Sequence, residues 1–184
     1  MARIRRGGLA ATRANRSGGV TGMKEDAYAP PLLTQSSVLV VRAGSRVCAI
    51  ALQHVSEIMR PLPIEAVIGA PTYVRGVSVI RGVPTPVVDL EVLLGGRGGE
   101  PVHGRFVTVR CGERRVVLGV GGVVGIRDLA SVRLAALPPL LGDLGAERIE
   151  AIGAADAGLL VVLRTARIVP DDVWLLLSSE GEAR

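Results

Sequence analysis

The sequence predicts a mainly β fold, a barrel or sandwich built from many short strands. Two observations carry this. The chain has 27 valines but one Phe, one Trp and two Tyr. Valine is branched at Cβ and suits pleated strands better than helices. The second observation is a succession of short apolar runs separated by turn residues, which is the pattern of an all-β barrel or sandwich. A length of 184 residues fits one domain or two small fused subdomains. Hydrophobic residues make up 48%, enough for a real core.

Residues 1–35 hold Gly, Arg, Ser and Pro without periodicity and end in Pro30-Pro31, so they read as a disordered basic leader and linker. Ser37–Ala43 and Val47–Leu52 flank Gly44-Ser45 as a first hairpin. His54–Met59 reads as a short helix or an irregular strand entry. Ile64–Ile68 is short and apolar, and Pro71 opens a turn that reaches Gly76. Val77–Ile80 and Val83–Val88 flank a tight bend at Arg81-Gly82. Pro84 and Pro86 lack ladder donors, which predicts an edge or interrupted strand. Asp89 is placed to cap a single helical turn, Leu90–Leu94, that stops at Gly95-Gly96.

Gly95–Gly104 reads as a mobile loop. Arg105–Cys111 and Arg114–Val120 form a second hairpin around Gly112-Glu113, and Val123–Ile126 continues as a strand. Asp128–Leu144 is mixed, with Pro138-Pro139 inside it. Ile149–Ala154 and Gly158–Leu163 form a third hairpin around Asp156-Ala157. Asp171-Asp172 precede a C-terminal helix over Val173–Leu177. The hairpins near 38–52 and 105–120 hint at two similar halves.

The formal charge of +5 is local. Residues 1–22 carry Arg3, Arg5, Arg6, Arg13, Arg16 and no acid, so the rest is balanced. The leader is suited to RNA, DNA or anionic lipid, and Met23 is an alternative start. It lacks the apolar stretch of a secretory signal. The longest apolar-and-glycine run, Val116–Ile126, is too short to span a bilayer. Cys48 and Cys111 sit in strand-like contexts and read as buried reduced thiols, which points to the cytoplasm.

Enzyme chemistry finds little support. His54 and His103 are the only histidines, and no His/Cys pair has zinc-ligand spacing. No G-x-S-x-G elbow is present. The only lysine, Lys24, is not in a phosphate-binding loop. Gly119–Gly125 departs from G-x-G-x-x-G in spacing, and its glycines read as sites of close strand packing or bulges. The expectation is no catalytic residue, no metal and no cofactor.

The informative block runs from Val55 to Leu94. It contains Val55-Ser56-Glu57-Ile58, then Pro71-Thr72-Tyr73-Val74-Arg75-Gly76-Val77, then Ile80-Arg81-Gly82, then Pro86-Val87-Val88-Asp89-Leu90. This succession resembles the CheW family of chemotaxis coupling proteins, in which V-x-E-I, P-x-y-v-x-G-v, l-R-G and P-v-v-D-L follow in order. The resemblance covers roughly 36–178, with 179–184 as a tail. It implies two small five-stranded SH3-like β-barrel subdomains sharing an interface, and a non-catalytic role. The implied partners are the regulatory domain of a histidine autokinase and the cytoplasmic tip of a chemoreceptor. Membrane association would come only through receptors, and no nucleic acid is expected. Val79, Gly121, Arg164 and Thr165 depart from the family pattern. They fall mainly in the second half of the chain and leave the first-half motifs intact; the alternative reading is the coupling protein of a pilus or gliding motility pathway.

By that resemblance Val55, Glu57, Ile58, Val77 and Arg81 belong to the partner-binding groove, and Glu57 is the candidate partner of Arg81. Gly76 and Gly82 give backbone freedom at the two ends of the intervening strand, and Asp89 is structural. From the residues alone, Arg81 also fits a plain surface charge and Glu57 a helix cap. An anionic-polymer binder acting through the leader is the other class of function.

Overall fold

The computed structural model describes residues 37–97, 104–136, 147–155, 158–171 and 173–175. The leader, the 98–103 loop, Pro138-Pro139, Asp156-Ala157, Asp172 and the tail fall outside them. The strands are β1 (Ser37–Ala43), β2 (Arg46–Ala51), β3 (Val55–Met59), β4 (Val74–Ile80), β5 (Val83–Asp89) and β6 (Arg105–Cys111). They continue as β7 (Arg114–Val120), β8 (Gly122–Asp128), β9 (Leu134–Ala135), β10 (Ile149–Ala155) and β11 (Gly158–Leu163), with one short helix, α1 (Leu90–Leu93), after β5. The three expected hairpins are present. His54–Met59 resolves into the end of a 3₁₀ turn, Leu52–His54, followed by β3. Asp171 and Val173–Leu175 are helical.

The strands form two sheets. One is ordered β8-β1-β2-β11-β10-β9, its sixth strand only two residues long, and the other is β3-β6-β7-β5-β4. The second sheet comes from one continuous stretch, whereas the first joins the N-terminal hairpin to strands from the end of the chain. The pairing pattern is the same in both. Hairpin β1–β2 takes β8 antiparallel on one side and β11 parallel on the other. Hairpin β6–β7 takes β3 antiparallel and β5 parallel. Each hairpin is therefore inserted among the strands that follow the other one. The two halves exchange hairpins in space, while along the chain each half keeps the same order of a hairpin followed by its further strands.

The equivalence extends to irregularities. The register slips between Val55 and Glu57 in β3 and around Val124 in β8. It slips again between Val74 and Gly76 in β4 and between Ile149 and Ala151 in β10. Bulges strengthen local twist and help curl a sheet. Gly125, with φ of 149°, sits at the β8 bulge, so one glycine of the Gly119–Gly125 run has a conformational reason.

Strand alternation builds three cores. Val38, Val40, Ala49, Leu160 and Val162 fill the first barrel. Ile80, Val87, Phe106 and Val117 fill the second. The opposite faces of the same strands supply Leu39, Val41, Cys48, Ile50, Val88, Val107, Leu118 and Val161 to a larger core between the sheets. Small branched side chains suit these narrow interiors. Phe106 is fully buried, and Trp174 closes the central core from the C-terminal side.

Pro84 and Pro86 lie in β5, an interior strand of its sheet rather than an edge. The register explains how. Ile80 and Val83 close the two-residue turn, so their partners alternate and the nitrogens of Pro84 and Pro86 point away from β4. On that side β7 pairs only with Val87–Asp89. The prolines occupy the part of β5 that overhangs β7, where a missing donor costs no ladder bond.

Candidate functional site

Arg81 and Gly82 form the two-residue turn between β4 and β5, with φ of 50° and 81°. Positive φ at both positions is the backbone of a type I′ hairpin. Arg81 is the only non-glycine residue at positive φ among the described residues. From this turn its guanidinium reaches back to β3, at the other edge of the sheet. Nε donates to Oε2 of Glu57 at 2.9 Å, and Nη2 lies 2.8 Å from the same oxygen. The hydrogen bond and charge of Glu57 raise the Arg81 pKa above its ordinary value. The contact bridges the β4–β5 turn and the edge strand β3.

The Arg81 side chain is 78% exposed and that of Glu57 22%. An ion pair this open to water adds little to stability. Arg81 also occupies a backbone region that glycine fills more easily. An exposed, oriented guanidinium is therefore displayed at the seam with several donors left for a partner.

The apolar candidates are distributed around this clip. Val55 and Ile58 pair with Val109 and Val107, so all four share the outer face of the second barrel. Val55 packs on the central core, whereas Ile58 is 44% exposed. Val77, half-buried, lies on the outer face of β4. Its backbone exchanges two 2.8 Å hydrogen bonds with Glu65, which hold the 60–70 segment against β4. Gly76 has φ of 138°, and a Cβ there would collide with the backbone carbonyl of Glu65. Gly82 needs its glycine for the turn.

Asp89 holds the base of the same hairpin. Its Oδ1 accepts from the Glu91 and Val92 amides at 3.0 and 3.2 Å, capping α1. Oδ2 accepts from Arg75 Nε at 3.1 Å and Nη2 at 2.9 Å. Sequence reasoning missed Arg75. Its position in the β4 bulge, ahead of Gly76, turns it toward the end of β5. The equivalent positions of the other half are Glu150 and Arg164, so the charges are inverted there. Burial raises the Glu150 pKa, and the charge of Arg164 opposes that. The equivalent of Glu57 is Gly125, so the first barrel lacks this acid.

The CheW-like domain family model matches residues 37–173. The chain belongs to the CheW-like domain family. A chemotaxis protein CheW from Klebsiella aerogenes is 27% identical over 146 residues, covering 79% of this chain and 83% of the relative. A probable chemotaxis protein CheW from Rhizobium etli is 27% identical over 139 residues, covering 74% and 90%. The crystal structure of scaffolding protein TtCheW from Thermoanaerobacter tengcongensis superposes with a TM-score of 0.63 at 19% identity, covering 75% of this chain and 94% of that one. The CheW-like fold of paired SH3-like barrels is thus shared. Among the described residues no group of three His, Cys, Asp or Glu side chains is arranged to hold a metal. No described helix is long and apolar enough to cross a membrane.

Proposed function

We propose that the chain is a non-catalytic coupling scaffold of a chemotaxis-type signalling pathway. In this reading it joins the regulatory domain of a histidine autokinase to the cytoplasmic tip of a chemoreceptor, in the cytoplasm. The groove beside β3, centred on Glu57 and Arg81 and flanked by Val55, Ile58 and Val77, takes the receptor. The 36–178 region acts as one unit of two intertwined barrels.

The observation that carries this reading is the match to the CheW-like family over nearly the whole folded body. The Glu57–Arg81 clip supports the placement of the site. It contributes little to stability, yet it fixes a charged group at an exposed seam beside apolar side chains. Exposed arginines next to apolar contacts are frequent anchors of protein interfaces.

Co-purification tests the role. A tagged full-length chain expressed in its own cells is expected to retain a histidine autokinase and a chemoreceptor. Recovery of neither under conditions that preserve receptor arrays would overturn the scaffold reading.

A further inference from the structure

At the far end of β3 from Met59 the surface opens into a cleft of about 620 Å³. It is lined by Gln53, His54, Arg110, Glu113, Arg114 and Arg115 around the Gly112 turn. The β6–β7 register sets Arg110 directly opposite Arg115. Two like charges facing each other across a pair of strands repel and destabilise it. Arg110 is oriented by a 2.8 Å hydrogen bond from Nη2 to the Gln53 carbonyl. Arg115 is exposed and has no ion pair among the described residues.

Arg114 is already engaged. Its guanidinium lies 5.2 Å from the Trp174 ring centroid and 3.6 Å from Asp171. That leaves Arg110 and Arg115 as the cations facing the cleft, with Glu113 at the turn as the lining acid. Burial, and next the charge of Arg110, lower the His54 pKa and favour its neutral form.

We propose that this cleft is a docking site for an acidic, carboxylate-bearing segment of a partner protein. A carboxylate between Arg110 and Arg115 relieves their mutual repulsion and accepts charge-assisted bonds from both planar forks. Gln53 Nε2 lies 3.3 Å from His54 Nε2, and the N–H groups of this pair not used in that contact add donors at the wall. A nucleic-acid strand fits less well. Sequence-tolerant binding of single strands needs a row of large aromatic platforms for the bases, and no Phe, Tyr or Trp lines the cleft. The site is distinct from the Glu57–Arg81 clip, and the inference does not rest on the coupling reading.

The test is a titration of the ¹⁵N-labelled full chain with a synthetic peptide of alternating Glu and Gly, followed by amide shifts. Expected are saturable shifts centred on His54, Gly112 and Arg115 that weaken as salt is raised. Arg115→Glu should weaken binding about tenfold or more. Arg133→Glu, the same charge change elsewhere on the surface, should leave these shifts nearly intact. Equal losses in the two variants would overturn the proposal by reducing the effect to net charge. Absence of shifts around the cleft would also overturn it, as would tighter binding there of a single-stranded oligonucleotide of equal charge. Co-purification of a kinase and receptor is expected to be insensitive to these outcomes, so failure here and failure of the coupling reading are separable.

Discussion

Replacing Asp89 with alanine should destabilise the fold by about 3 kcal/mol while leaving the exposed recognition groups untouched. The magnitude follows from what the carboxylate holds. Its oxygens accept two amide bonds from the first turn of α1, and loss of such a cap costs about 1 kcal/mol. They also accept two charge-assisted bonds from Arg75, whose side chain is only 23% exposed. Removing the acceptor takes away two charge-assisted bonds from that partly desolvated guanidinium, a penalty of about 2 kcal/mol. For a chain of this size each kcal/mol shifts Tm by roughly 2–4 °C, so a fall of about 6–12 °C is expected. Asp89→Asn keeps an oxygen for the cap but loses the charge, and should fall in between. Urea unfolding followed by circular dichroism measures both, with the slope checked for two-state behaviour. Arg75→Ala and Asp89→Ala should be strongly non-additive, because they remove one interaction from its two ends. A loss below about 1 kcal/mol for Asp89→Ala would refute the reasoning, since the cap alone supplies that much.

Three further predictions follow from the same geometry. Gly76→Ala should cost more than about 2 kcal/mol, because its φ is unfavourable for an L residue and its Cβ meets the Glu65 backbone; thermal unfolding that matches the parent would contradict this. Arg81→Gly should hold or raise Tm, because glycine accepts the turn backbone more easily, while partner binding falls; a drop in Tm would make Arg81 a structural residue instead. Stability should also decline as pH rises above about 9. Burial pushes the Cys48 thiol up to about 12 and the Cys111 thiol to about 11, from an ordinary value of 9.0. Between those values the unfolded chain has released protons that the folded chain retains, so folding weakens with rising pH. Cys48→Ala should flatten that decline in a series of denaturation curves taken across the window. An unchanged slope would show that Cys48 is not responsible.

Much of the architecture was legible because valine-rich runs and turn residues act locally. Gly44-Ser45, Arg81-Gly82 and Gly112-Glu113 each close a hairpin at the expected place. The Asp89 cap was readable for the same reason, since its two amide partners lie two and three residues ahead. What escaped depends on long-range placement. The start of β4 was set too late because Arg75 and Gly76 look like turn residues, whereas a bulge lets the strand begin at Val74. The prolines of β5 suggested an edge because a sequence does not reveal that β7 stops short of them. The exchange of hairpins between the halves has no local signature.

The candidate site divides along the same line. Glu57 and Arg81 are separated by 24 positions, and the family resemblance joined them before any geometry did. The structure shows their contact, and it also pairs the Val77 backbone with Glu65. The cleft around Arg110 and Arg115 went unnoticed because those arginines look like ordinary hairpin-end charges. Only the β6–β7 register makes them directly opposed neighbours.

The central claim is that the Glu57–Arg81 clip is a recognition element rather than a stabilising one. The most direct measurement is calorimetric titration of the full chain with a receptor cytoplasmic-tip fragment, using wild type, Arg81→Ala and Glu57→Ala. The account predicts that each substitution weakens binding by about tenfold, with Tm close to wild type. Affinities within about twofold of wild type for both variants, with the fold intact, would contradict it.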